Sequence, residues 1–150
     1  MNVKIVANNK KAYHDYFVED TFETGIELVG SEVKSIRQGN VNLKDNFCYV
    51  KDGELYVVGM HVSPYSKGSF YNPDAKRNRR LLMHKAEIRK LRQKVEEKGY
   101  TLALTKLYLK GGLIKTEVAL CRGKEGHDKR AAIKEKEQKR EIQRYLKEVR

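Results

Sequence analysis

Three groups of residues in this chain carry side chains suited to chemistry. Arg77, Arg79 and Arg80 crowd together beside Lys76. Guanidinium groups are planar sets of donors that match phosphate oxygens, so the cluster predicts phosphate contact. Its plainer reading is a solvated run leading into a helix. The second group is Gly123-Lys124-Glu125-Gly126-His127-Asp128-Lys129-Arg130. An imidazole there could stack on a base while adjacent cations hold phosphate, or the stretch could be an ordinary linker. The third group pairs an imidazole with a carboxylate, at His14-Asp15 and at His127-Asp128. The first pair reads as strand, where neighbours point to opposite faces. The second lies in a segment without a scaffold, and acid–base work needs fixed geometry.

The sequence holds no nucleophile elbow, P-loop, HExxH or CxxC pattern. It therefore predicts no catalytic residue and no enzyme. The four histidines and the two cysteines, Cys48 and Cys121, are too scattered for a metal site. The cysteines read as small buried apolar residues in strands. No cofactor is implied.

The elements that must position these groups read mostly as strands. Residues 1–11 are polar and basic and predict an arm with little regular structure. Tyr13 to Val29 is rich in aromatic and β-branched residues and predicts a long strand, bent at Thr24-Gly25. Ser31 to Gln38 predicts a short helix stopped by Gly39, with Ser31 as its cap. Val33 and Ile36 would face the core while Glu32, Lys34 and Arg37 point elsewhere.

Asp52-Gly53 between two apolar runs predicts a hairpin within 41–63. Residues 64–80, broken by Pro64, Gly68 and Pro73, predict a long loop that carries the arginines. Leu81, Leu82, Ile88, Leu91 and Val95 predict a helix over 81–98, with Gly99 after it. Two strands around Gly111-Gly112 follow. The pattern is mainly β, five or six strands with a short and a longer helix, and it fits an OB-like closed barrel with flanking helices.

At Gly123 the composition changes. Residues 1–122 hold 22 basic and 14 acidic residues, giving +8; residues 123–150 hold ten and six, giving +4. The division is a barrel over 1–122 and a basic tail over 123–150. Such a tail buries too little surface to offset its ordering entropy, so it predicts disorder when free. Its Ala, Glu, Lys and Arg content, with Ile142, Tyr145, Leu146 and Val149 on one face, predicts a helix when bound.

The whole chain carries 32 basic against 20 acidic residues, a formal +12. That excess attracts polyanions: nucleic acid first, a membrane surface second. No apolar run approaches the ~20 residues of a spanning helix, and Met1 to Lys11 has no signal-type core. The expected location is cytoplasmic. No apolar stripe shows outside the expected core, so a monomer is expected.

Four motifs now add what composition does not. Asn9-Lys10-Lys11-Ala12-Tyr13-His14-Asp15-Tyr16-Phe17, Gly30-Ser31-Glu32-Val33-Lys34-Ser35-Ile36-Arg37, Arg79-Arg80-Leu81-Leu82-Met83-His84, and Gly123-Lys124 with His127-Asp128-Lys129-Arg130 and Ile133-Lys134-Glu135 stand in this order. Together they closely resemble the SmpB, or SsrA-binding, family over nearly the whole chain.

The resemblance implies an OB-like barrel that binds the tRNA-like domain of tmRNA and carries it into stalled bacterial ribosomes. In this process, trans-translation, the ribosome is freed and the incomplete peptide is tagged. The implied tail enters the decoding centre and the empty mRNA channel as a helix. For tmRNA the resemblance implies Asn9, Glu32, Lys34, Arg79 and Arg80, to which Arg77 of the basic cluster and Lys10 are added as candidate RNA contacts. For the ribosome it implies Lys124, His127, Asp128, Lys129, Arg130 and Lys134, with His127 stacking. Arg80 stands where the family usually has Lys, Met83 where it has Leu, and Gln138 where many relatives have Trp. A generic single-strand binder would instead show no preference among RNAs, and a nuclease would show metal-dependent turnover.

Overall fold

The computed structural model describes residues 3–67 and 71–123. The chain order is β1 (Val3–Asn8), α1 (Lys10–Asp15), β2 (Tyr16–Ile26), α2 (Gly30–Arg37), β3 (Val41–Asn42), β4 (Phe47–Lys51), β5 (Glu54–Val58), β6 (His61–Val62), β7 (Arg79–Leu82), α3 (Lys85–Lys98), β8 (Thr101–Lys110) and β9 (Leu113–Gly123). Among the described residues, nine strands and three helices exceed the expected five or six and two.

The main sheet runs β1-β8-β4-β5-β7-β2-β9, and β9 also pairs with β8. The pairings of β8, β4, β5, β7, β2 and β9 thus close into a ring, the expected barrel. β1 pairs only with β8 and forms a flap beside the ring. β3 and β6 make a separate two-stranded sheet. Closure leaves the ring without free edges, and alternation along each strand gives an inner apolar and an outer polar face.

Turn chemistry sets the registers. Asp52 and Gly53 both take positive φ, 53° and 76°, and join β4 to β5 as expected. Gly111 and Gly112, at 56° and 79°, do the same for β8 and β9. The core inside the ring includes Leu55, Val57, Leu81, Leu104, Leu107, Val118 and Leu120, with Ile36 from α2 and Ile88 and Leu91 from α3.

Three expectations are corrected. Residues 3–8 are a strand and 10–15 a helix, not an arm. Asn9 caps α1 by accepting the Ala12 N–H at 3.3 Å, and its amide donates to Leu104 O at 3.2 Å. The Leu104 bond and the pairing of β1 with β8 are long-range attachments that order a segment whose composition suggests none. Because His14 ends a helix, its Nδ1 lies 3.0 Å from an Asp15 carboxylate oxygen, where a strand would have separated them. Leu81 and Leu82 belong to β7, not to the helix: Leu81 pairs with Leu55 and Ile26 across the ring, and α3 begins at Lys85.

Gly99 ends α3 at φ 68°, as expected. Both cysteines are buried in strands; burial pushes the Cys121 thiol up to about 11 and the Cys48 thiol higher still.

Candidate nucleic-acid interface

α2 is built around a carboxylate. Glu32 sits at the third helical position, where its Oε1 accepts the Val29 N–H at 3.0 Å and satisfies a donor that the helix start leaves open. The same carboxylate receives Arg77 through Nε at 3.1 Å and Nη2 at 2.5 Å. It also receives Arg79 through Nε at 2.7 Å and Nη2 at 2.5 Å. The Glu32 side chain is 3% exposed and that of Arg79 is fully buried.

The remaining Arg79 donors go to the carbonyls of Met60, Arg77 and Ala75, at 2.8, 3.1 and 3.1 Å. Burial pushes the Glu32 carboxyl up, but the hydrogen bonds from Arg77 and Val29 and the charge of Arg79 outweigh it and hold the group below its ordinary value. Burial lowers the Arg79 guanidinium, which stays protonated at neutral pH.

This triad corrects the reading of Glu32 as a residue that points away from the core, and it places Arg79, expected as a phosphate ligand, beneath the surface. A guanidinium with every donor engaged beneath the surface has none to offer RNA. Asn9, 7% exposed, is likewise a fastening between α1 and β8. Lys10 is exposed at the start of α1. Lys34 lies with its Nζ 5.9 Å from the centre of the Tyr65 ring. Arg77 is 27% exposed on one side of the triad. The tail residues Lys124, His127, Asp128, Lys129, Arg130 and Lys134 lie outside the described residues.

Arg80 is placed differently from its neighbours. Along β7, Arg79 and Leu81 are buried, so Arg80 and Leu82 turn to the outer face of the barrel. Arg80 meets the Glu27 carboxylate through Nε and Nη2 at 3.1 and 2.7 Å. Leu82, 47% exposed, lies over Gly25 of β2, where a Cβ would come within 3.2 Å of Leu82 Cβ. Here the absence of a side chain lets Leu82 rest on the sheet.

The same outer face continues across β2, β9 and β8. Alternation turns Leu107 inward, and with it Lys106, Tyr108 and Lys110 outward. Tyr108 Oη donates to Glu23 Oε2 at 2.5 Å, and Lys110 Nζ lies 3.3 Å from both Glu23 oxygens. Lys115 stands opposite Tyr108 in the register. The Tyr108 hydrogen bond, with Lys110 and Lys115, holds the Glu23 carboxyl below its ordinary value. Burial and then Glu23 push the Tyr108 phenol up.

Beyond Glu23, Glu117 accepts Tyr13 Oη at 2.9 Å and Thr105 Oγ1 at 2.5 Å. Farther still, the Arg122 guanidinium covers the Phe17 ring at 4.8 Å and pairs with Glu19. Leu113, 61% exposed, ends the face, with Val3 and Ile5 exposed on β1. No apolar stripe was expected outside the core, and Leu82, Leu113, Val3 and Ile5 are the aliphatic side chains exposed on this side.

The arrangement combines a fixed carboxylate, aromatic rings, several cations and exposed aliphatic side chains on one rigid sheet. Ammonium and guanidinium groups can hold phosphates. Glu23 can accept from base amino groups or a 2′-hydroxyl, and Leu82 and Leu113 can pack on sugars or base faces. Among the described residues no group of His, Cys, Asp or Glu is placed to hold a metal ion.

Sequence reasoning missed Glu23, Tyr108, Lys110 and Lys115. Their signal was the period-two alternation of polar residues in strands already expected to be half buried; the Gly111-Gly112 turn makes β8 and β9 neighbours, but only the long-range pairing of β2 with β9 brings Glu23 beside them.

Comparison with known proteins converges. The family model described as SmpB protein matches residues 6–148. An SsrA-binding protein of Caldanaerobacter subterraneus subsp. tengcongensis is 54% identical over 146 residues, 97% of this chain and 92% of that protein. That of Syntrophotalea carbinolica is 53% identical over 148 residues, 99% of each chain. A solved structure described as "tmRNA-SmpB: a journey to the center of the bacterial ribosome" contains a chain 46% identical, with a TM-score of 0.67. The match covers 81% of this chain and 86% of that one. A likeness of this depth across barrel and tail leaves one conclusion: the chain belongs to the SmpB family.

Proposed function

We propose that this chain binds the tRNA-like domain of tmRNA and delivers it to stalled ribosomes for trans-translation. It acts in the cytoplasm and catalyses no reaction itself. The observation that carries this reading is the likeness to SsrA-binding proteins along the whole chain, residues 6–148, rather than along the barrel alone. No described helix is long and apolar enough to cross a membrane.

The barrel, residues 1–122, holds tmRNA. Glu23, Leu82, Tyr108, Lys110 and Lys115 on the outer sheet face form the contact, with Arg80 and Lys10 extending its positive field and Lys34 adding to it. Asn9, Glu32, Arg77 and Arg79 act from beneath by fixing α1, α2 and the loop before β7. Residues 123–150 serve the ribosome as a helix in the decoding centre and mRNA channel, through Lys124, His127, Asp128, Lys129, Arg130 and Lys134.

The test is reconstituted tagging: ribosomes stalled on a truncated message, alanine-charged tmRNA, and the chain with or without residues 131–150. The full chain supports tag addition. The truncated chain keeps its affinity for the tRNA-like domain and loses tagging. Loss of affinity on truncation would refute this division of labour. Incubation of RNA with the protein and magnesium leaves the RNA intact if the protein is no nuclease.

A further inference from the structure

The segment between β6 and β7 holds the most exposed large hydrophobic side chain among the described residues, Tyr71 at 78%. An exposed ring on a loose loop means little. Tyr71 stands on a loop fastened at several points. The hydroxyl of Ser31, a residue only 3% exposed on α2, donates to Tyr71 O at 2.7 Å. One residue on, the Asn72 side chain closes the loop on itself: Tyr65 N donates to its Oδ1 at 2.9 Å, and its Nδ2 donates to Tyr65 O at 3.2 Å. At the loop's exit, Val62 N and Arg79 Nη2 both donate to Ala75 O, at 2.9 and 3.1 Å.

The buried Glu32–Arg77–Arg79 triad locks α2 and the loop's end together. Lys34, one turn after Ser31, lies against Tyr65, and Lys67 and Lys76 are exposed in the same loop. A backbone held by a buried hydroxyl, carrying an uncovered aromatic ring on a segment that also bears exposed lysines, is the arrangement that single-stranded RNA engages by stacking. Fastening the Tyr71 backbone beforehand lowers the ordering cost that a free backbone would add to binding.

We infer that Tyr71 is a stacking platform for an unpaired nucleobase of an RNA partner. The inference rests on the proposed function for the class of partner, and it adds a contact away from the outer face of β2, β8 and β9. The base belongs either to the tRNA-like domain of tmRNA or to ribosomal RNA, and the experiment separates the two.

The full chain is compared with Tyr71→Ala and Tyr71→Phe by measuring Kd for the isolated tRNA-like domain and, separately, for vacant ribosomes. One of the two Kd values rises about ten-fold in Tyr71→Ala, as loss of a stacked base requires, and stays within about two-fold of the original in Tyr71→Phe. The melting temperature of both variants is unchanged, because the ring is exposed. A photoreactive benzoylphenylalanine at position 71 then crosslinks to an unpaired nucleotide of that RNA.

If Tyr71→Ala leaves both affinities unchanged, or the crosslink maps to a paired helix, the platform is refuted while the proposed function stands. If the unaltered chain fails to bind the tRNA-like domain, the proposed function falls, and the ribosome arm alone decides the platform.

Discussion

Replacing Glu32 by Gln separates a buried scaffold from a surface RNA contact. The amide keeps the shape of the carboxylate but removes its charge, and it turns a donor toward two guanidinium groups. Arg79, fully buried, has no route to water and keeps only its three carbonyl partners. Arg77, 27% exposed, can rehydrate, so most of the cost falls on Arg79. Removing one partner of a buried ion pair costs about 3–5 kcal/mol. For a barrel of this size that is a fall in melting temperature of roughly 10–20 °C.

The pH dependence follows from the lowered carboxyl. A depressed folded value contributes stability that is complete above the ordinary value of 4.5 and is lost as pH falls through the folded value. The gap between the original chain and Glu32→Gln is therefore constant from pH 6 to 8 and narrows below about pH 4.5. Urea unfolding at several pH values reads both effects. A loss under about 1 kcal/mol at pH 7, together with a large loss of tmRNA affinity, would refute the buried-scaffold reasoning and return Glu32 to the RNA surface.

Other substitutions test the remaining parts. Glu23→Gln changes stability by less than about 1 kcal/mol, because its partners are exposed, yet weakens binding of the tRNA-like domain about ten-fold in a filter or fluorescence titration. Gly59→Ala destabilises the chain by more than about 2 kcal/mol in denaturant unfolding: φ is 87° there, and a Cβ would stand 2.5 Å from Asp45 O. Ser35→Ala leaves stability unchanged or raises it by up to about 1 kcal/mol by the same measurement, because Ser35 Oγ is buried without a hydrogen-bond partner.

What the sequence made legible is what local chemistry decides. Asp52-Gly53 and Gly111-Gly112 must take positive φ, so few other residues would serve, and the hairpins could be read directly. Gly99 marked the end of α3 for the same reason. The six-residue α1 has no apolar period, since only Ala12 is buried, and its Asn9 cap gains meaning from Leu104, 95 positions away. The Arg79–Arg80 pair shows the limit most clearly. Adjacent arginines read as one cluster, but a strand sends one inward to Glu32 and the other outward to Glu27. Of the tmRNA contacts expected from family motifs, Asn9, Glu32 and Arg79 are buried, which their place in the sequence did not reveal. The face carrying Glu23, Tyr108 and Lys115 joins the β8–β9 hairpin to β2, and that long-range pairing of β2 with β9 has no local signal.

Whether this basic barrel recognises one RNA is decided by competition binding. Labelled tRNA-like domain of tmRNA is bound to the chain at two salt concentrations, then challenged with excess ordinary tRNA and excess unstructured RNA. Higher salt weakens binding throughout, because phosphate contacts release counterions. At both salt concentrations neither competitor displaces the labelled RNA readily. Equal displacement by both would mean that net charge alone drives binding and that the barrel recognises no particular RNA.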